Sequence, residues 1–170
     1  MTAAPPHVTL TDATKQDVAA IVALQTATAQ RLTADFGDGH WSHLPTERGV
    51  LRSMRESRVF VARDPAGIIA TLRLTTKKPW AIDRSYFTVV KRPLYLLDMA
   101  VDVSMQRQGI GRQCMDDAAR VAREWPADAI RLDAYDAAAG AGDFYAKCGY
   151  QARGSFTYRL VPLLYYELLL

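Results

Sequence analysis

The residues with the most chemistry to offer are Gln106-Arg107-Gln108-Gly109-Ile110-Gly111-Arg112, a polar turn with two glycines between an apolar run and a helical pattern. A strand that feeds such a turn and then a helix makes an anion site. The first helical N–H groups have no intrahelical partner, and the helix dipole is positive at that end. Glycine lets the backbone approach a ligand with no Cβ in the way. Phosphate oxygens are therefore expected on the amides of residues 108–112. Spacing excludes two common cradles. A Walker-type loop needs Lys after its last glycine, and Gly111 is followed by Arg112. A dinucleotide turn needs a third glycine where Cys114 stands, and it follows its strand more closely than Gly109 follows Val101.

Other reactive side chains are sparse. His40 and His43 lie three apart, but no Cys or carboxylate cluster completes a metal site around them. They read as an aromatic loop with Trp41 that covers the core or lines a cleft, and no metal is expected. Asp98 is the only carboxylate in the apolar run 94–101, and strand alternation puts it on one face with Leu96 and Ala100. Cys114 falls on the apolar face of the following helix with Ile110, Ala118, Val121 and Trp125, so a structural thiol is expected. Two cysteines in all are too few for a disulfide framework, which suits a reducing, cytoplasmic setting.

The elements that must position these groups follow from periodicity. The chain has 170 residues, 49% hydrophobic and 23% charged, which fits one globular domain. Residues 1–7 read as a flexible tail ahead of a domain over 8–170. Val8 to Leu10 is a short strand candidate. Thr14 and Asp17 form a capping box before a helix over about 17–33. Pro45-Thr46-Glu47 opens a second helix to about Ser57. Residues 59–62 and 68–74 pair as an antiparallel hairpin around Asp64-Pro65-Ala66-Gly67. Residues 75–93 lack a period and carry five basic residues against one acid, with Trp80, Tyr86 and Phe87 interleaved. That segment is either a substrate-facing wall or an insertion whose aromatics pack on the sheet. Residues 94–101 should be a central buried strand, followed by the glycine turn and a helix that Pro126 stops. Residues 130–135 alternate as a strand, and Gly149 caps a short helix. Residues 150–152 and 156–170 give the last strands, with Pro162 interrupting the final one. The whole reads as an α/β (α+β) domain with a mixed sheet and helices on its faces. No apolar run is long enough to span a membrane. The net charge of +3 makes nucleic acid an unexpected partner.

Taken together, three segments resemble one family. Gln106-x-x-Gly109-x-Gly111 resembles the acetyl-CoA signature of the GCN5-related N-acetyltransferases (GNAT). Phe144-Tyr145-Ala146-Lys147-Cys148-Gly149-Tyr150 is similar to that family's later FY-x-K-x-G-F/Y segment, and Val161-Pro162-Leu163-Leu164-Tyr165-Tyr166-Glu167 to its last strand. The resemblance implies a strongly twisted mixed sheet of about seven strands flanked by about four helices and splayed at the fourth strand. It implies acetyl-CoA as cosubstrate. The amides of Arg107, Gln108, Gly109, Ile110, Gly111 and Arg112 would take the pyrophosphate beside Gln106. The backbone of Met99, Ala100 and Val101 would take the pantetheine arm. The side chain of Arg107 or Arg112 is a further phosphate contact, or simply exposed. Direct attack of an amine on the thioester is implied, with Tyr145 protonating the CoA sulfur.

The base is open. Where some family members carry a glutamate, Tyr95 stands. Asp98 either accepts the proton, holds an ammonium group or pairs with an arginine. Asp133 is a candidate on the next strand, and water alone is another route. Ser104 replaces the family's proline before the turn, and Ala138 its asparagine. The acceptor is a small-molecule or peptide amine, with its specificity expected from residues 75–93 opposite residues 37–43. An acetyl-CoA sensor without transferase activity is the alternative. The apolar ending Leu168-Leu169-Leu170 suits a homodimer contact.

Overall fold

The structure is a computed structural model that describes residues 6–170, so most of the expected tail lies outside the described residues. One seven-stranded mixed sheet organises the chain. Its strands are β1 (Thr11–Asp12), β2 (Arg58–Asp64), β3 (Gly67–Thr75), β4 (Pro93–Val101), β5 (Ala129–Tyr135), β6 (Gln151–Tyr158) and β7 (Val161–Leu169), in the order β1-β2-β3-β4-β5-β7-β6. Among the described residues only β4 and β5 run parallel, and every other neighbouring pair is antiparallel.

Four α-helices are present among the described residues: α1 (Val18–Phe36), α2 (Glu47–Glu56), α3 (Ile110–Glu124) and α4 (Gly142–Lys147). The amide of Thr14 donates to Asp17 Oδ2 at 2.8 Å ahead of α1, and Thr46 Oγ1 accepts from the Gly49 amide at the start of α2. Both are the local bonds that the sequence announces. Burial pushes the Asp17 carboxyl up. The Thr14 amide bond and the Arg63 guanidinium outweigh that and hold it below the usual range.

The helices divide between the two faces. α3 buries Ile110, Cys114, Met115, Ala118 and Ala122 against Leu72, Leu94, Leu96, Ile130 and Leu132. Each of the Leu, Ile and Met side chains among them contributes about 1.5–3 kcal/mol on burial, so this face holds much of the fold. Burial also pushes the Cys114 thiol up to about 12, as befits a structural cysteine. On the other face α1 and α2 close over β2 through Val18, Ile21, Val50, Val59 and Val61.

The remaining part of that face is covered by residues 76–92, which pack down rather than reach out. Ile82 and Phe87 are buried with Tyr95 and Tyr165, and Tyr86 meets Tyr165 edge-on at 5.2 Å. A buried ion pair fastens them. Arg131 Nε donates to Glu167 Oε2 at 2.9 Å, Glu167 Oε1 accepts from the Thr88 amide, and Arg131 donates to the Thr88 carbonyl. The Tyr165 hydroxyl donates to the Ala81 carbonyl and accepts from the Asp83 amide.

Three expected boundaries shift. Residues 8–10 form no strand: the Val8 and Leu10 amides donate to Gln113 Oε1 and Asp117 Oδ2 of α3, side-chain partners that replace a ladder. β6 runs unbroken through Arg153 and Ser155, with a bulge at Gly154 (φ 131°), and turns into β7 through Arg159 and Leu160, both at positive φ. Pro162 sits at the start of β7, opposite Thr157, and interrupts nothing. At the chain's end Leu168 and Leu170 pack on the α3-side core, leaving Leu169 exposed.

Candidate active site

β4 and β5 bond only at Pro93, Leu94 and Tyr95 opposite Ala129, Ile130 and Arg131. Beyond that point β4 stays with β3 as far as Val101, and β5 stays with β7 as far as Tyr135. The two central strands therefore part company, and the β5-facing backbone of residues 96–101 has no strand beside it. Backbone donors and acceptors exposed in mid-sheet are an invitation to an extended ligand.

A bulge sits at the mouth of this split. Thr71 pairs with Ala100 and Arg73 with Leu97, so Asp98 and Met99 together oppose the single residue Leu72. Asp98 takes φ 54°, a left-handed conformation that aspartate tolerates better than most residues. The extra residue resets the alternation. Leu96 stays in the α3-side core, while Asp98 and Ala100 turn to the other face and line a cavity of about 450 Å³ beneath α1 and α2. The simple alternation that grouped Asp98 with Leu96 is thereby corrected. There Arg73 Nε donates to Asp98 Oδ2.

The rest of the cavity wall comes from α1, α2 and the segment between them. His40 stacks on Tyr135 with centroids 6.3 Å apart and Trp41 meets it edge-on at 5.9 Å, so this aromatic loop lines the cleft along with His43 and Leu44. No residue of 76–92 lines the cavity. The wall expected of that segment is absent from it, because the aromatics and the buried ion pair hold the segment to β5 and β7.

The glycine turn lies at the far end of β4. Asp102 Oδ1 accepts from the amide and hydroxyl of Ser104, which stiffens the approach where a proline was lacking. Gln106 Nε2 donates to the Val101 carbonyl at 3.1 Å, and Gln108 Nε2 to the Ser104 carbonyl at 2.9 Å. Gly109 adopts φ 83° with open space where a Cβ would stand. The first amide of α3 with a backbone acceptor is that of Gln113, bonded to Gly109, which leaves the amides of Ile110, Gly111 and Arg112 free. At Gly111 a Cβ would come within 3.1 Å of the Phe144 ring, so this glycine also seats α4 against α3. The Arg112 side chain donates to the Lys147 carbonyl at 2.7 Å, while Arg107, at φ 60°, is exposed.

Tyr145, on α4, belongs to the α3-side core. It is 7% exposed and packs against Phe144, Tyr150 and Tyr166. Burial, then the carboxylate of Asp133 and the thiol of Cys148, push its phenol well above the ordinary range. Asp133 lies two residues past the last β4–β5 pair. Burial raises its carboxyl above the usual value, and the Asp98 carboxylate raises it further. Tyr135 is raised by burial and by the same two acids. Three strands thus bring Arg73, Asp98, Asp133 and Tyr135 towards one opening, with Tyr145 next to Asp133. Tyr95, in the position of the family's glutamate, is buried under residues 82–87 with an unpartnered hydroxyl.

This geometry can be set beside known proteins. The family profile described as "Acetyltransferase (GNAT) domain" matches residues 55–152. The chain belongs to the GNAT acetyltransferase family. With it the chain joins the acyltransferases. No curated protein sequence matches it. Among solved structures it is similar to a GCN5-related N-acetyltransferase from Rhodopseudomonas palustris, at 17% identity over 100% of both chains with a TM-score of 0.71. It is also similar to the ribosomal-protein-S18-alanine N-acetyltransferase of Escherichia coli, at 15% identity over 95% of this chain and 93% of that one, TM-score 0.68. A third is YncA of Salmonella typhimurium with its cofactor acetyl-CoA, at 15% identity over 96% and 94%, TM-score 0.67. Such distant likenesses establish the shared fold.

The structure sets the turn 106–112 beyond the end of β4, which residues 99–101 close, and packs Tyr145 of α4 against Tyr166 of β7. It also adds Arg73, which the sequence reading passed over. Arg73 stands in a hairpin strand with no motif around it. Only the register of β3 against the bulge brings it to Asp98.

Proposed function

We propose that this GNAT protein is an acetyl-CoA-dependent N-acetyltransferase for a small amine, working by direct attack on the thioester. The observation that carries the reading is the split at residue 96. It leaves one stretch of β4 backbone, residues 99–101, with the free amides of α3 beyond its end and an open cavity on its flank.

The residues fit acetyl-CoA. Free amides at a helix start, beside a left-handed glycine with open space, suit a pyrophosphate. The amides of residues 107–112 hold it, with Gln106 closing the turn onto Val101. The backbone of Met99, Ala100 and Val101 pairs with the pantetheine arm in place of a strand. Acetyl-CoA supplies an activated acyl thioester. The acceptor waits in the cavity, where Asp98 holds its ammonium group. Asp133, whose raised proton affinity brings it nearer the working pH, takes a proton from that group. As the new C–N bond forms and the C–S bond breaks, Tyr145 donates its proton to the departing sulfur, and the second proton shed by the acylated nitrogen restores the phenol through water. A backbone N–H of residues 99–101 polarises the carbonyl. Both cysteines are unpaired, in keeping with a reducing, cytoplasmic setting.

The test is thiol release from acetyl-CoA over a panel of amino acids, polyamines, aminoglycosides and peptides, with acetyl-CoA binding measured separately. Gly109→Glu puts a carboxylate where phosphate belongs and is expected to abolish both. Unchanged affinity in that variant removes the site from the turn. Tight binding without thiol release across the panel makes the protein a sensor and not a transferase.

A further inference from the structure

Two charges look into the acceptor cavity from the sheet as one pair, Arg73 of β3 and Asp98 of β4. Their bond occupies only Nε of the guanidinium. Among the described residues, Nη1 and Nη2 of Arg73 have no acceptor. The Arg73 side chain is 21% exposed and the Asp98 side chain 48% exposed, so both charged ends are open to a ligand in the cavity. A guanidinium with unused donors is a fork shaped for a carboxylate or phosphate. Asp98 Oδ1 is left for a cation. Across the sheet the charges run positive on β3, negative on β4 and negative at Asp133 on β5, so a dipolar ligand is oriented with its cation toward the split. The opposite wall sets apolar Ile21, Leu32, Trp41, Leu44 and Val50 among polar Gln25, Thr28, His43, Thr46 and Ser53. A volume of about 450 Å³ is that of a small-molecule site.

We propose that the acceptor is a small amine bearing its own carboxylate, an amino-acid-type molecule with an apolar side chain, whose carboxylate is gripped by Arg73 while Asp98 holds its ammonium group. The inference rests on the transferase reading only for which end of the ligand reacts. An amine without a carboxylate leaves the Arg73 donors unmatched. A peptide N-terminus presents an uncharged amide in the same place.

The experiment is calorimetric titration of the full chain, with and without CoA, using free leucine, methionine and phenylalanine, their amides and their decarboxylated amines. Thiol release is measured on the same set. At least one free amino acid is expected to bind about tenfold more tightly than its amide, the worth of one charge-assisted bond. Arg73→Gln should erase that preference and Arg73→Lys restore part of it, with thermal melts confirming that both variants are folded. If amide and acid bind within about twofold of each other, or if no free amino acid binds, the inference is overturned, whatever the transferase activity. The same holds if Arg73→Gln leaves the preference intact. Carboxylate-dependent binding without thiol release sustains the ligand class and removes the transferase reading.

Discussion

Replacing Tyr145 with phenylalanine separates chemistry from everything else this residue does. The ring is buried and touches Phe144, Tyr150 and Tyr166 at centroid distances of 5.2, 6.1 and 6.1 Å, contacts that phenylalanine keeps. Among the described residues nothing hydrogen-bonds the hydroxyl, so its loss orphans no partner. The melting temperature should stay within about 2 °C of the parent. Acetyl-CoA affinity should hold too, because the proposed phosphate and arm contacts are to backbone groups. Turnover is another matter. Burial and the neighbouring Asp133 keep the phenol protonated through the neutral range, ready to donate. General acids contribute about 10²- to 10⁴-fold, and a thiolate near pKa 8.5 needs the help less than an alkoxide does. The lower end applies, a loss of about a hundredfold in kcat, or about 2.7 kcal/mol of barrier. The assay is thiol release at saturating acetyl-CoA and acceptor, with affinity read by calorimetry. A kcat within about threefold of the parent, or a loss that lies wholly in binding, refutes the assignment of the acid.

Two further substitutions probe the surroundings. Asp133→Asn should lower turnover and remove the acidic limb of kcat/KM, yet raise stability at pH 7. Burial lifts the folded-state pKa of this acid above its unfolded value, so stability falls as pH rises through that window, and asparagine escapes the fall. The gap in melting temperature should close as pH drops towards 4, and a parent that out-melts the variant at pH 7 refutes the account. Glu167→Ala leaves Arg131, a side chain only 4% exposed, without its counter-charge. Breaking a buried pair costs about 3–5 kcal/mol, or roughly 10 °C for a chain of this length, and residues 76–92 should become open to proteases. A drop below about 3 °C shows that the pair does not fasten that segment.

The sequence and the structure agree best where a local rule acts alone. Thr14 and Asp17, Thr46 before α2, the Asp64 turn and Gly149 after α4 were legible because each capping or turn group bonds a backbone atom within a few residues. The turn 106–112 was legible for the same reason, since a strand, two glycines and a helix start are contiguous. The cavity was not. Alternation assigned Asp98 to the α3-side face, and one extra residue in β4 reversed it. Such a bulge leaves no mark in composition, and its position depends on how β3 happens to register. The basic segment misled differently. Its charge suggested an anion-facing wall and its aromatics a packed insertion, and the second holds, because charge says nothing about which face a loop settles on. What settles it is Glu167, a buried acid 79 residues away that accepts from the Thr88 amide. With that segment committed to the β5–β7 half of the sheet, only α1, α2 and their connection remain to enclose the mouth of the split. If the cavity takes the acceptor, its choice falls to the half of the chain in which the sequence shows no motif, and Arg73–Asp98 is the ion pair there whose remaining donors are not spent on the fold.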